Sequence, residues 1–245
     1  MQALLLAAGV GKRLGPYTKA MPKCLLEVAG QTLLERHLAN YANLGFSKAV
    51  IVTGHEEDKI KDAVASLDLA LRIELIRNDE YTKGSILSLR KGLDAITEDV
   101  VTMDADVFYH PQVLATLAKS SHANSVLIDE RSDETGEEMM IGIRANRAAA
   151  IARRVSPIGP FDKVGESIGF FRIAKADQSL LKQTIDRTIK EQGEDLEYET
   201  ALNAFFDVAE VKFETVGNLP WTEIDFEQDL ARARNEIAPA ILSEG

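Results

Sequence analysis

Residues 4–30 read LLLAAGVGKRLGPYTKAMPKCLLEVAG. An apolar run ends in small residues. A Gly-rich stretch follows with Lys12 and Arg13, and a rigid Pro22-Lys23 comes after it. Gln2–Ala7 has the length and composition of a buried strand closed by glycine. In α/β sheets, ligands sit beyond the carboxyl ends of the strands. A loop at that edge with glycines and cations points to an anion. Gly9 and Gly11 let the backbone come close and turn N–H groups inward. Arg13 can fork onto two phosphate oxygens, and Lys23 can supply a point charge. For Lys12 and Lys19 a solvated surface position is the simpler reading. The loop is not a Walker P-loop, because no Gly-Lys-Ser/Thr follows at the right spacing. It is not a dinucleotide fingerprint either: the third glycine is misplaced and RLGPYTKAMPK delays the helix.

Working outward, residues 32–44 read as a helix. Leu33, Leu34, His37, Leu38, Tyr41 and Leu44 share one face, and Gly45 is the stop. Residues 49–53 form an apolar, β-branched run. Residues 57–67 look helical, 71–76 extended and 85–96 helical, and 99–103 form a strand running into DAD. This alternation over the first ~110 residues implies a parallel sheet covered by helices. The second half is less regular. Strands are expected over 125–129, 139–144, 168–173 and 208–216. Helices are expected over 180–190 and 198–206, with a closing helix over 226–237. SPIGPFDKVGES reads as a Pro/Gly-rich connection. The expected fold is α/β, a Rossmann-like mixed, mostly parallel central sheet with helices on both faces. Residues 1–245 are read as one domain of two halves, 1–110 with the parallel strands and 111–245 with later strands partly antiparallel.

Composition sets the bounds. The 245 residues are 45% hydrophobic and 27% charged, ample for a sizeable core. The formal net charge of −11 repels nucleic acid unless a basic patch is segregated, and the cations are dispersed outside the opening loop. No apolar run is long enough to span a bilayer, and the first is too short for a secretory signal. The lone Cys24 has no internal disulfide partner. A cytoplasmic protein, bound to neither nucleic acid nor membrane, is the expectation. The oligomeric state stays open, with a homodimer as one candidate.

Five further segments carry candidate chemistry. In VVTMDADVF, Asp104 and Asp106 stand two apart at a strand end and so point the same way. Such a pair suits a hard cation such as Mg²⁺, although a turn or cap is an equal reading. In NLPWTEIDFEQDL, Glu223 and Asp225 repeat the spacing from a distant part of the chain; Asp225 could instead cap the following helix. Gly84-Ser85 in NDEYTKGSILSL marks a helix start whose N–H groups could meet a ligand, or an ordinary cap. Glu166 in GESIGF, with Tyr198 and Glu199 in LEYETAL, could hold a cationic head group, or could be solvated. His37 reads as core, and His55 has no obvious partner. There is no zinc spacing and no nucleophile elbow.

From Leu5 to Gly30 the chain closely resembles the nucleotidyltransferase signature: L-A-A-G-x-G-x-R-L, then P-x-T, then P-K-x-L, then a glycine before a helix. MDADVF sits where that family places its acidic metal motif. The EID…DL ending is similar to that of cytidylyltransferases which activate phosphocholine and similar small phosphates or phosphonates. The resemblance implies a glycosyltransferase-A-like nucleotidyltransferase fold and a loop wrapped around a triphosphate. Ala7, Ala8 and Gly9 would lie against base and ribose, with Gly11 in the same loop. Arg13 would sit on the phosphates and Lys23 near the reacting phosphorus. Asp106 and Asp225 would be the main Mg²⁺ ligands, with Asp104 and Glu223 in support beside the nucleotide. Gly84 and Ser85 match the segment that helps read the base. Glu166, Tyr198 and Glu199 would face the acceptor. The implied reaction joins a nucleoside monophosphate, from CTP before other triphosphates, to a small phosphate or phosphonate. A sugar-1-phosphate nucleotidyltransferase and a non-catalytic nucleotide-binding domain stand as alternatives.

Overall fold

The computed structural model of the chain describes residues 1–18 and 21–243. Lys19 therefore lies outside the described residues. Thirteen strands are present among those described. They are β1 (Gln2–Ala7), β2 (Glu27–Val28), β3 (Gln31–Thr32), β4 (Lys48–Thr53), β5 (Arg72–Arg77), β6 (Val100–Asp104) and β7 (Val107–Tyr109). The later ones are β8 (Ser125–Asp129), β9 (Met140–Arg144), β10 (Arg147–Ala152), β11 (Lys163–Ile173), β12 (Lys212–Thr215) and β13 (Trp221–Glu223). The helices are α1 (Leu33–Asn43), α2 (Glu57–Ala65), α3 (Ser85–Gly92), α4 (Pro111–Ala118), α5 (Gln178–Gln192), α6 (Tyr198–Val208), α7 (Glu227–Arg232) and α8 (Ala238–Ser243).

Nine strands build one mixed sheet. β5, β4, β1 and β6 run parallel in that order. β11 then pairs antiparallel with β6, β8 and β9. β10 closes the far edge on β9, and β12 lies parallel to β8. Alternation along β1 explains the layers. Leu4 faces α3, α5 and α6, through Ile86, Leu89, Leu181, Ile185 and Phe205. Ala3 and Leu5 face α1, α2 and α4, through Leu34, Leu38, Ile60, Val113 and Leu117. The carboxyl ends of β1, β4 and β6 lie side by side, with Ala7 opposite Thr53 and Leu6 opposite Asp104.

Local signals account for several boundaries. Thr32 and Glu35 form a reciprocal capping box at α1, and Gly45 leaves it at φ +73°. Other boundaries depart from the sequence reading. α4 and β10 were not anticipated; α4 opens with Pro111 at its first position and His110 accepting the Gln112 N–H. β11 begins at Lys163, inside the stretch read as a connection, because β9 supplies a pairing edge from residue 163 onward. The strand expected over 208–216 is shorter: α6 runs to Val208, and only Lys212–Thr215 pairs, with β8. The closing helix 226–237 is α7, a π-type turn over Ala233–Ile237, and then α8.

Candidate active site

The parallel strands deliver the opening loop to a cavity of about 670 Å³. That lies in the usual range of ligand pockets. Its floor is Leu6 to Arg13, and Lys23, Asp104, Asp106, Glu223 and Asp225 line its wall. Gly11 has φ +64°, a left-handed backbone that favours glycine. Its missing side chain also matters, since a Cβ there would come within 2.8 Å of Lys23 Cγ. The loop then winds into a 3₁₀ segment over Lys12–Tyr17, which carries Arg13. A second 3₁₀ turn, Lys23–Leu25, buries Cys24 and turns Lys23 the other way.

Lys23 is the hub. Its Nζ donates to Asp106 Oδ2 at 2.9 Å and to Asp225 Oδ1. Arg13 Nη1 holds the other oxygen of Asp225. Burial works against the Lys23 ammonium, but the charges of Asp106 and Asp225 outweigh it and hold its pKa above the ordinary value. Asp225 shows the mirror image: burial pushes it up, and Lys23 then Arg13 pull it below the usual range.

Asp225 is free for this role because it is not the helix cap. Asp229 accepts the backbone N–H groups of Asp225 at 3.0 Å and Phe226 at 2.7 Å. The two acidic pairs meet because β13 lies antiparallel on β7, with Glu223 opposite Val107. As a result Asp106, Glu223 and Asp225 bring carboxylate oxygens within 4.8 Å of one another. Glu223 keeps access to solvent, yet desolvation within the cleft first, then Asp106 and Asp225, raises its pKa.

Asp104 points to a different corner. The Tyr198 hydroxyl donates to it at 2.6 Å. Burial first, and then the charges of Asp106 and Glu199, push its carboxyl well above the usual range. Gly169, at φ +74°, lies directly against Asp104, and any Cβ there would strike the carboxylate. β11 shifts register here, between Ser167 and Phe171, as it passes from β9 to β6.

Three expectations need correction. Gly84 caps α3 but does not line the cavity; its N–H donates to Glu194 O, and the Ile86 N–H to Leu196 O, both at 3.1 Å. A Cβ on Gly84 would run into the Leu196 backbone, so the glycine permits close packing, while Ser85 reaches the cavity. Tyr198 offers no open aromatic face: it is buried, and its ring packs 5.7 Å from that of Phe171. Glu166 does not share the first cavity with Tyr198 and Glu199. It lines an adjoining cavity of about 1050 Å³, where Ser132 Oγ donates to it.

Arg153 was missed. It lines both cavities, donates to Glu137 O, and pairs with Glu197 at 2.9 Å. The only sequence signal was an arginine directly after the apolar run of β10. His37 is core, as its helix face suggested: it is fully buried, beside Tyr109.

Residues 3–158 match the family described as the MobA-like NTP transferase domain, and the chain belongs to that family. It is similar to the CMP-5'-(3-aminopropyl)phosphonate synthase of Streptomyces rubellomurinus, at 32% identity over 127 residues; the match covers 51% of this chain and 20% of that protein. It is also similar to the bifunctional IPC transferase and DIPP synthase of Aquifex aeolicus, at 26% identity over 238 residues, 96% of this chain and 51% of that protein. The chain thus spans about half of one relative and a fifth of the other. Among solved structures, the inositol-1-phosphate CTP transferase of T. maritima has the same fold. Its TM-score is 0.78 at 23% identity, covering 99% of this chain and 95% of that one.

Proposed function

We propose that this member of the family transfers a nucleoside monophosphate from a nucleoside triphosphate to a small phosphate or phosphonate and releases pyrophosphate. CTP is the favoured donor. The observation that carries the reading is Lys23 seated between Asp106 and Asp225 at the mouth of a glycine loop that also bears Arg13. The names of the relatives support the donor: a CMP-phosphonate synthase and, by fold, a CTP transferase.

The residues present fit a divalent cation. Asp106, Glu223 and Asp225 offer an all-oxygen donor set, with oxygens within 4.8 Å of one another. Hard ligands of this kind suit Mg²⁺. Bound there, Mg²⁺ would neutralise phosphate charge and polarise the phosphoryl group under attack.

The rest of the chemistry belongs to the chain's own groups. The loop from Ala7 to Gly11 cradles the nucleotide, and Arg13 and Lys23 screen its phosphates. An acceptor phosphate or phosphonate oxygen attacks the α-phosphorus, and the bond from that phosphorus to the β-bridging oxygen breaks. The attacking oxygen is already an anion at neutral pH, so no general base is required. The obstacle is repulsion between two anions, which the cations of the loop lower. In this reading residues 1–110 carry most of the nucleotide side. Residues 111–245 shape the acceptor side around Glu166, Glu199 and Arg153, and return Glu223 and Asp225 to the reacting centre. A pyrophosphate-release screen of four nucleoside triphosphates against acceptor phosphates and phosphonates tests it. Turnover with CTP and a small acceptor is expected. No release with any pair at saturating Mg²⁺ sinks the reading, and preference for a sugar-1-phosphate with UTP or dTTP replaces it.

A further inference from the structure

The Lys23 ammonium sits on the same carboxylates that a divalent cation needs. Nζ is 2.9 Å from Asp106 Oδ2 and is bonded to Asp225 Oδ1. Those two residues, with Glu223, form the cluster whose oxygens lie within 4.8 Å of one another. The seat is built. Its side chain is only 15% exposed, and its stem runs past Gly11, where a Cβ would come within 2.8 Å of Cγ and 3.3 Å of Cε. Buried Cys24 anchors the neighbouring backbone. Arg13 takes the remaining oxygen of Asp225, so Asp225 is shared by two cations, while Asp106 is held by Lys23.

An ammonium and a dication cannot share these oxygens without strong repulsion at a few ångströms. We infer that Lys23 is a tethered counter-ion that competes with the divalent metal for Asp106 and Asp225, and that metal entry releases its ammonium toward the phosphate-binding loop. The inference rests on the reading of these carboxylates as a metal site. The release has a destination, because Lys23 lines the same cavity as Gly9, Gly11 and Arg13. It also gives an order. The side chain is held away from the phosphates until the metal is present, and it reaches them only once its own anchors are taken.

The test is Mn²⁺ binding to nucleotide-free protein, read from the free-ion paramagnetic resonance signal. The unaltered chain should bind Mn²⁺ weakly. Lys23→Met should bind it about tenfold or more tightly, because a competing charge has gone. Lys23→Arg should stay weak, and adding Asp106→Asn to Lys23→Met should abolish the gain. Equal or weaker binding by Lys23→Met, with Asp106→Asn still harmful, overturns the competition but leaves the metal site standing. Binding that ignores Asp106→Asn in every background overturns both. A second measurement needs no variant: acetylation of lysines by an N-hydroxysuccinimide ester, followed by mass spectrometry. Mn²⁺ should speed labelling of Lys23 selectively in the unaltered chain. Unchanged or slower labelling at saturating Mn²⁺ also overturns the inference.

Discussion

The Tyr198 hydroxyl donates to Asp104 Oδ2 at 2.6 Å across 94 positions of sequence. This bond pins the start of α6 to the carboxyl end of β6. Ser85 Oγ, at the start of α3, accepts the Tyr198 N–H at 2.9 Å, so three elements meet at one corner of the cavity. Asp104 has burial and neighbouring carboxylates against it, and Tyr198 is its hydrogen-bond donor. Tyr198→Phe keeps the ring on Phe171 and removes the donor. It should cost about 1–3 kcal/mol of stability, the range for leaving a buried polar group unpaired. Urea unfolding measures this, and an unchanged midpoint with unchanged slope rules out a structural contribution from the bond.

The carboxylate cluster makes a sharper demand. Asp106→Asn and Asp225→Asn should each lower turnover by about two orders of magnitude or more, because each removes a ligand charge from the proposed metal site. The fold should survive, since both side chains are partly solvated within the cleft. Circular dichroism checks the fold and pyrophosphate release checks the rate. Near-normal release by either variant at saturating Mg²⁺ contradicts the ligand assignment.

Lys23→Ala separates two effects of one residue. The ammonium should act on charge that develops during transfer, so kcat should fall more than nucleotide affinity. The same variant should bind metal more tightly, for the reason given above. Tighter metal with slower turnover is an unusual combination, and a purely structural lysine would not produce it. Calorimetric nucleotide binding beside steady-state rates provides the comparison. A loss confined to nucleotide affinity, with kcat intact, speaks against the role.

Much of this site was legible because its parts are local. The glycines, Arg13 and Pro22-Lys23 fall within one short loop, and each acidic pair is two residues apart on a strand end. What was not legible depends on partners far along the chain. Gly169 reads as one glycine in a strand, yet its missing side chain makes room for Asp104. Gly84 reads as a ligand-facing helix start, yet residues 194–196 occupy it. Asp225 and Asp229 both suit the cap of α7, and only the three-residue spacing from Phe226 to Asp229 separates them. Among the elements, β1, β4 and α1 carry their own signals. β10 and the first half of β11 exist because β9 offers an edge, which no local pattern records.

Glu199 ties stability to pH. Its carboxyl is pushed up to about 7 from an ordinary value of 4.5, by burial first and then by the charge of Glu197. An acid raised in the folded state favours folding while protonated. That contribution is fully present below 4.5 and is lost as pH rises through about 7. Glu199→Gln should therefore flatten the dependence of Tm on pH across this window, with little change below it. Differential scanning calorimetry without added metal provides the reading. An identical slope in both proteins would show that Glu199 is not the titrating group.

The proposed function divides the work between the two cavities. Its nucleotide side ends at Glu223 and Asp225, which line both cavities, and beyond them the second cavity contains Glu166, Arg131 and Arg232. A small acceptor with an ammonium would gain from the Glu166 carboxylate, whereas a neutral hydroxyl would gain less. Burial raises the Glu166 pKa and the Ser132 hydrogen bond opposes the rise. The Tyr198 ring is closed against Phe171 and offers the acceptor no open face. With an aminoalkyl phosphonate or phosphocholine as acceptor, Glu166→Gln should raise the acceptor KM by about tenfold, in line with loss of one charge-assisted contact, and leave the CTP KM nearly unchanged. Glu199→Gln, in the first cavity, should have the smaller effect on the acceptor KM. Equal effects of both variants on both constants would mean that the acceptor does not reach the second cavity. An acceptor panel in which glucose-1-phosphate outperforms every amine-bearing compound would assign the cavity to a sugar instead.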